Sequence, residues 1–157
     1  MNGKSCFFIG HRETPDTVLP LLQVTVNRHI ECYGVTEFIV GHYGNFDYLA
    51  AKAVVTAKQL HPKIILSLLI PYHPAERPIK KPKGVDNTYY PPRMEDVPRK
   101  LAIVRANRYM VDHVDFLIAY AWHPASNARE LVEYAEKKMK KGVIQVTNLA
   151  PLHRSTL

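Results

Sequence analysis

The order in which periodicities follow one another constrains the fold of this chain more than any other feature. Short apolar runs alternate with segments whose apolar residues recur at helical spacing. Residues 5–10 (SCFFIG) read as a buried first strand. Residues 17–33 put Leu19, Leu22, Val26 and Ile30 on one helical face, and Gly34 follows as a stop signal. Residues 37–41 (EFIVG) read as a second strand. Residues 46–60 carry Leu49, Ala50, Ala53, Val54, Ala57 and Leu60 at helical spacing before Pro62. Residues 63–70 (KIILSLLI) are apolar along their length, as a parallel strand covered on both faces must be. Helical spacing returns at 99–113, where Leu101, Val104 and Val111 alternate with basic residues. Residues 115–121 (DFLIAYA) make a fourth strand, and 126–141 a helix with Leu131, Val132, Ala135 and Met139 inward. Gly142 stops it, 143–147 (VIQVT) is a fifth strand, and the tail from Asn148 reads as loose.

Repeated strand–helix alternation predicts a Rossmann-like three-layer α/β sandwich with a five-stranded, mostly parallel sheet. Residues 1–150 read as one domain and 151–157 as a tail. Residues 71–98 interrupt the pattern with seven prolines and Gly84, which argues against regular structure there. A loop of that length in a small domain is functional or mobile. Tyr72, Tyr89, Tyr90 and Arg93 equip it to fold over a ligand as a lid or to pin it to the surface.

No apolar run approaches the roughly 18 residues of a membrane span. The opening MNGKS leads into CFFI with no secretory h-region, so the expectation is a cytoplasmic protein with no membrane partner. Cys6 and Cys32 make neither a disulfide framework nor a zinc knuckle. The formal net charge of +7 favours phosphates, nucleotides or nucleic acid. Part of it, Lys137, Lys138, Lys140 and Lys141, complements the dipole of a helix end.

In a doubly wound sheet, ligands bind beyond the carboxyl ends of the strands, where strand order reverses. The loops after residues 10, 41, 70 and 121 are therefore the ones to inspect. After the first strand, Gly10-His11-Arg12 offers close backbone approach and a guanidinium fork for phosphate. After the second, Gly41-His42-Tyr43-Gly44-Asn45-Phe46-Asp47 runs into a helix. Its glycines form an anion cradle, or Asn45 or Asp47 is a simple N-cap. After the fourth, Ser126 caps the last helix or presents its hydroxyl to a phosphate, with Asn127 beside it. Trp122 stacks on a base or covers the sheet end. The preceding helix aligns Arg105, Arg108 and Asp112 on one face, with Asn107 nearby. That face is a solvated ladder or a pair of guanidinium groups aimed into the cleft. His11, His42, His73 and His123 each follow a strand closely, but no compact histidine–carboxylate motif accompanies them, and no metal or other cofactor is expected.

Three blocks carry a family resemblance: Gly10-His11-Arg12, then Gly41…Gly44…Asp47-x-x-Ala50-Ala51, then Arg105-x-Asn107-Arg108-x-Met110-Val111-Asp112-x-x-Asp115-x-Leu117-Ile118-Ala119. Together they resemble the YpsA-like branch of the SLOG superfamily over about residues 5–147. That Rossmann-like superfamily includes the cytokinin-activating phosphoribohydrolases and the DNA-processing protein DprA. The resemblance implies strand order 3-2-1-4-5, with the loops after the first and fourth strands side by side. It also implies a nucleotide-like ligand and self-association into homo-oligomers. Glu130 lies near where the phosphoribohydrolases place an acidic residue. The family's Gly-Gly-Thr type turn is replaced by Pro124-Ala125-Ser126-Asn127-Ala128, so side-chain donors stand in for close backbone approach.

The expected function is binding or sensing of a nucleotide-derived, phosphate-bearing small ligand. Gly10, His11, Arg12, Gly41, Gly44, Asn45, Asp47, Arg105, Asn107, Arg108, Trp122, Ser126 and Asn127 are the candidate ligand-binding residues. The alternative is N-glycosidic hydrolysis of a nucleoside monophosphate, with Glu130 or Asp112 as the catalytic carboxylate. Nucleic acid ranks behind a small nucleotide, because the basic residues are not interleaved with aromatics as single-strand readers prefer.

Overall fold

Phe7 and Phe8 show how the layers are built. They are neighbours in strand β1 (Lys4–Gly10), so their side chains leave on opposite faces of the sheet. Each is fully buried and each belongs to a different core. The computed structural model describes residues 3–155. Beside β1 lie β2 (Val35–Val40), β3 (Ile65–Leu69), β4 (Asn87–Tyr89), β5 (Phe116–Tyr120) and β6 (Gln145–Asn148). All pair in parallel, in the order β4-β3-β2-β1-β5-β6.

Helices α1 (Leu19–Tyr33), α2 (Asn45–Lys58) and α5 (Leu149–Ser155) cover the Phe8 face. Helices α3 (Ala102–His113) and α4 (Asn127–Met139) cover the Phe7 face. The result is a three-layer Rossmann-like sandwich. Strand order reverses between β1 and β5, so their following loops are neighbours: the N–H of His11 donates to the carbonyl of Tyr120 at 3.2 Å. No helix among the described residues is long and apolar enough to cross a membrane.

The five strands expected from sequence are present in the expected order, with a sixth added at the β3 edge. Asn87-Thr88-Tyr89 has no apolar run. Its pairing is fixed by Asp86, whose N–H donates to the carbonyl of Leu66 while its carboxylate accepts from the N–H of Leu66 at 2.9 Å. The tail expected to be loose is instead α5, with Leu149 and Ala150 fully buried. The inward face of α3 also differs from expectation. Leu101 and Val104 are 44% and 47% exposed, and Ala102, Ala106, Met110 and Val111 face the sheet. Small side chains let the helix lie close to the strands, and that closeness cannot be read from hydrophobic spacing. Leu60, expected on the buried face of α2, lies beyond its end at 77% exposure.

Candidate functional site

A cleft of about 230 Å³ opens at the switch point, beyond the carboxyl ends of the strands. Its walls are the loop after β1 (Gly10, His11, Arg12), the loop after β2 (Gly41, Tyr43, Gly44, Asp47), Pro71, the inner side of α3 (Ile103, Ala106, Asn107) and the start of α4 (Ser126, Asn127, Ala128). The two glycine loops are built against each other. Phe46, in the first turn of α2, is fully buried with its ring over Gly10; a Cβ at residue 10 would come within 2.5 Å of that ring. Gly44 meets the backbone of Arg12, where an added Cβ would lie 2.5 Å from the Arg12 Cα. Asn45 closes the seam. Its N–H donates to the carbonyl of Arg12 at 2.9 Å, and its amide donates to the carbonyl of Thr14 and to Asp16 Oδ1. The glycines thus make room first for protein atoms, and Asn45 is spent on holding the loops together.

Asp47 is half-buried in the cleft wall beneath Gly41. Its Oδ2 accepts from the N–H of Tyr43 at 3.1 Å, and no hydrogen bond to Oδ1 occurs among the described residues. Loss of water pushes its pKa from 3.8 to about 6, against the opposing pull of the Tyr43 N–H. No cation pairs with it among the described residues. Across the cleft, His11 Nε2 accepts from the N–H groups of Trp122 (2.9 Å) and His123 (3.2 Å). An accepting Nε2 places the proton of the neutral ring on Nδ1. Burial, and secondarily His123, lowers the His11 pKa and favours that neutral form. Ser126 caps α4: its Oγ accepts from the N–H of Arg129 at 3.1 Å and donates to the carbonyl of His123 at 2.8 Å.

Arg12 is exposed at the cleft mouth and has no acidic partner among the described residues. Arg105 is exposed on α3 and does not line the cleft. Arg108 lies over the Tyr134 ring at 4.4 Å and borders a recess of about 50 Å³ that also holds Glu130, Asn107 and Asn127. Asp112 lies outside the cleft, accepting from the Tyr134 hydroxyl at 2.6 Å and pairing with Lys138 at 2.9 Å. Burial works to raise its pKa, but the bonds from Tyr134 and Lys138 outweigh it and hold the carboxyl below its usual range. Trp122 borders a second groove on the far side of His11 and Arg12.

The structure therefore gathers Gly10, His11, Arg12, Gly41, Gly44, Asp47, Asn107, Ser126 and Asn127 around one cleft. It leaves Asn45, Arg105, Arg108, Asp112, Trp122 and Glu130 off its walls. Tyr43 and Pro71 line the cleft but were not singled out; both lie in loops that the strand-end rule points to. Ile103 was hidden by the misjudged face of α3. The four strand-end histidines do not converge: His42 stacks on Tyr43 and His73 packs against Tyr90. No group of three His, Cys, Asp or Glu side chains suited to a metal ion occurs among the described residues.

No protein-family model and no curated protein matches the sequence. The fold is similar to a solved structure of DNA processing protein A from Helicobacter pylori, a protein with a single-stranded-DNA binding mode. The match has a TM-score of 0.55 at 14% identity and covers 98% of this chain and 80% of that one. At that identity the likeness establishes a DprA-like, Rossmann-type fold.

Proposed function

We propose that the cleft binds a phosphate-bearing, nucleotide-derived ligand, and that the chain is a YpsA-like member of the SLOG superfamily. One observation carries the reading. The N-termini of α2 and α4 border the same cleft at the strand switch point as the guanidinium of Arg12, which has no acidic partner among the described residues. The first turn of a helix leaves N–H groups without intrahelical acceptors, and its dipole favours negative charge. Two such ends and an arginine around one cavity suit a phosphate group. Asn107 and Asn127 are neutral donors and acceptors for a sugar.

The test is a thermal-shift series with AMP, ADP-ribose and NAD at millimolar concentration. A ligand at about 100 times its dissociation constant adds about 2.7 kcal/mol. Arg12→Ala removes no side-chain hydrogen bond or ion pair seen among the described residues, so it leaves the unliganded Tm nearly unchanged and abolishes the shift. An equal shift in that variant defeats the assignment.

A hydrolytic reading has one observation in its favour, the Asp47 carboxyl. A half-buried acid titrating near neutrality in a cleft is a candidate proton donor to a leaving base. Glu130 borders the neighbouring recess and Asp112 is held between α3 and α4. Release of base from a nucleoside monophosphate panel, lost in Asp47→Asn, supports this reading; no release from any member rejects it. The net charge and the likeness to DprA favour single-stranded DNA as a further ligand, for which affinity falls steeply with salt.

A further inference from the structure

Beside the cleft lies a second groove of about 330 Å³, which shares His11, Arg12 and Ser126 with it. Arg12 borders both. Trp122 forms a wall of this groove at 46% exposure, the sole tryptophan of the chain. An indole at a cavity wall presents a flat, largely apolar ring on which a planar group can stack.

The Trp122 backbone is held firmly. His11 Nε2 takes its N–H at 2.9 Å, and the His11 ring meets the indole edge-on, with centroids 5.6 Å apart and planes at 81°. Asn148 Oδ1 accepts the N–H of the preceding Ala121 at 3.1 Å. The same histidine that shapes the cleft thus also sets the position of the tryptophan.

The two cavities differ in character. The cleft has helix N-termini on its walls. The groove has an indole on one wall and the exposed carboxylate of Glu13 on another. The cleft also holds the Asp47 carboxyl, so what distinguishes the groove is the indole, which favours a planar ring. Resting on the reading of the cleft as a phosphate site, we propose that this groove is a nucleobase subsite: phosphate in the cleft, Arg12 between, and the base against Trp122. The ligand class narrows accordingly to base-bearing phosphates, with sugar phosphates filling only half the site. A free mononucleotide and one nucleotide of a single strand present the same chemistry.

Because Trp122 is the sole tryptophan, its emission reports on the groove directly. The experiment titrates wild-type protein, Trp122→Ala and Trp122→Phe with AMP, ribose 5-phosphate and a short oligo-dT. Thermal shift reads binding, and tryptophan emission of the wild type reads stacking. AMP should shift the Tm and change the emission, whereas ribose 5-phosphate should shift the Tm with emission unchanged. Trp122→Ala should weaken AMP about tenfold and leave ribose 5-phosphate unaffected, and Trp122→Phe should recover most of the loss. Oligo-dT binding more tightly than AMP identifies a strand as the source of the base, and the reverse order identifies a free nucleotide. AMP binding with unchanged emission and equal affinity in Trp122→Ala overturns the subsite while leaving the cleft reading intact. Failure of all three probes to bind removes the cleft reading and the subsite with it.

Discussion

Replacing Asp47 by asparagine should make the protein more stable at neutral pH. The Asp47 carboxyl titrates near 6 in the fold against 3.8 when free, a rise of about two units. At 1.36 kcal/mol per unit, ionising it in place costs the fold about 3 kcal/mol by pH 7. The sign follows from proton uptake. Between pH 4 and 6 the folded protein holds this proton and the unfolded chain has released it. The contribution of Asp47 is therefore complete below about pH 3.8 and is lost as pH rises through 6. Asparagine keeps an oxygen for the N–H of Tyr43 and carries no charge to desolvate. The expected gain at pH 7 is about 1–3 kcal/mol, the lower end allowing for an amide poorly satisfied in place of Oδ1. For a chain of this size that is a Tm increase of roughly 2–12 °C. The assay is chemical unfolding of wild type and Asp47→Asn from pH 4 to pH 7. The difference between the two isolates Asp47, because His11, His29 and His42 have lowered pKa values and tilt both curves the opposite way. A difference that is flat with pH, or a variant less stable than wild type at pH 7, refutes the reasoning. Such a gain is the mark of a residue kept for a purpose other than stability.

Gly44→Ala should cost about 1–3 kcal/mol, because its methyl would lie 2.5 Å from a backbone atom of Arg12 that cannot swing aside; an unchanged Tm would contradict the seam between the two loops. His11→Ala should cost about 1 kcal/mol and speed hydrogen exchange at the amides of Trp122 and His123, which lose their acceptor. In the wild type those amides should lose protection in acid. The His11 contribution is complete above about pH 6.5 and disappears as pH falls through its lowered folded pKa; protection independent of pH would remove the histidine from this role.

Strands whose sequence is a continuous apolar run, such as Phe7-Phe8-Ile9 or Leu117-Ile118-Ala119, were legible because burial on both faces leaves no alternative to them. The strand Asn87-Thr88-Tyr89 was not, since it exists only through the open edge of β3 and the bond pair between Asp86 and Leu66. The cleft was legible by location, because the strand-end rule needs only the order of elements. The tasks of its residues were not. In sequence Gly10 reads as room for close backbone approach and Gly44 as part of an anion cradle, but their nearest neighbours are Phe46 and Arg12, and only the fold brings those residues to them.

The turn at 124–128 shows the same dependence. When the chain is read alone, the turn's lack of glycine suggests that side-chain donors stand in for close backbone approach. In the structure the N–H groups of Trp122 and His123 are already taken by His11, and Ser126 is committed to capping α4. A bound anion must therefore draw on the uncapped start of α2, the first N–H groups of α4 and Arg12. The loop that follows β1 and the turn that follows β5 are joined across the switch point by a single imidazole nitrogen.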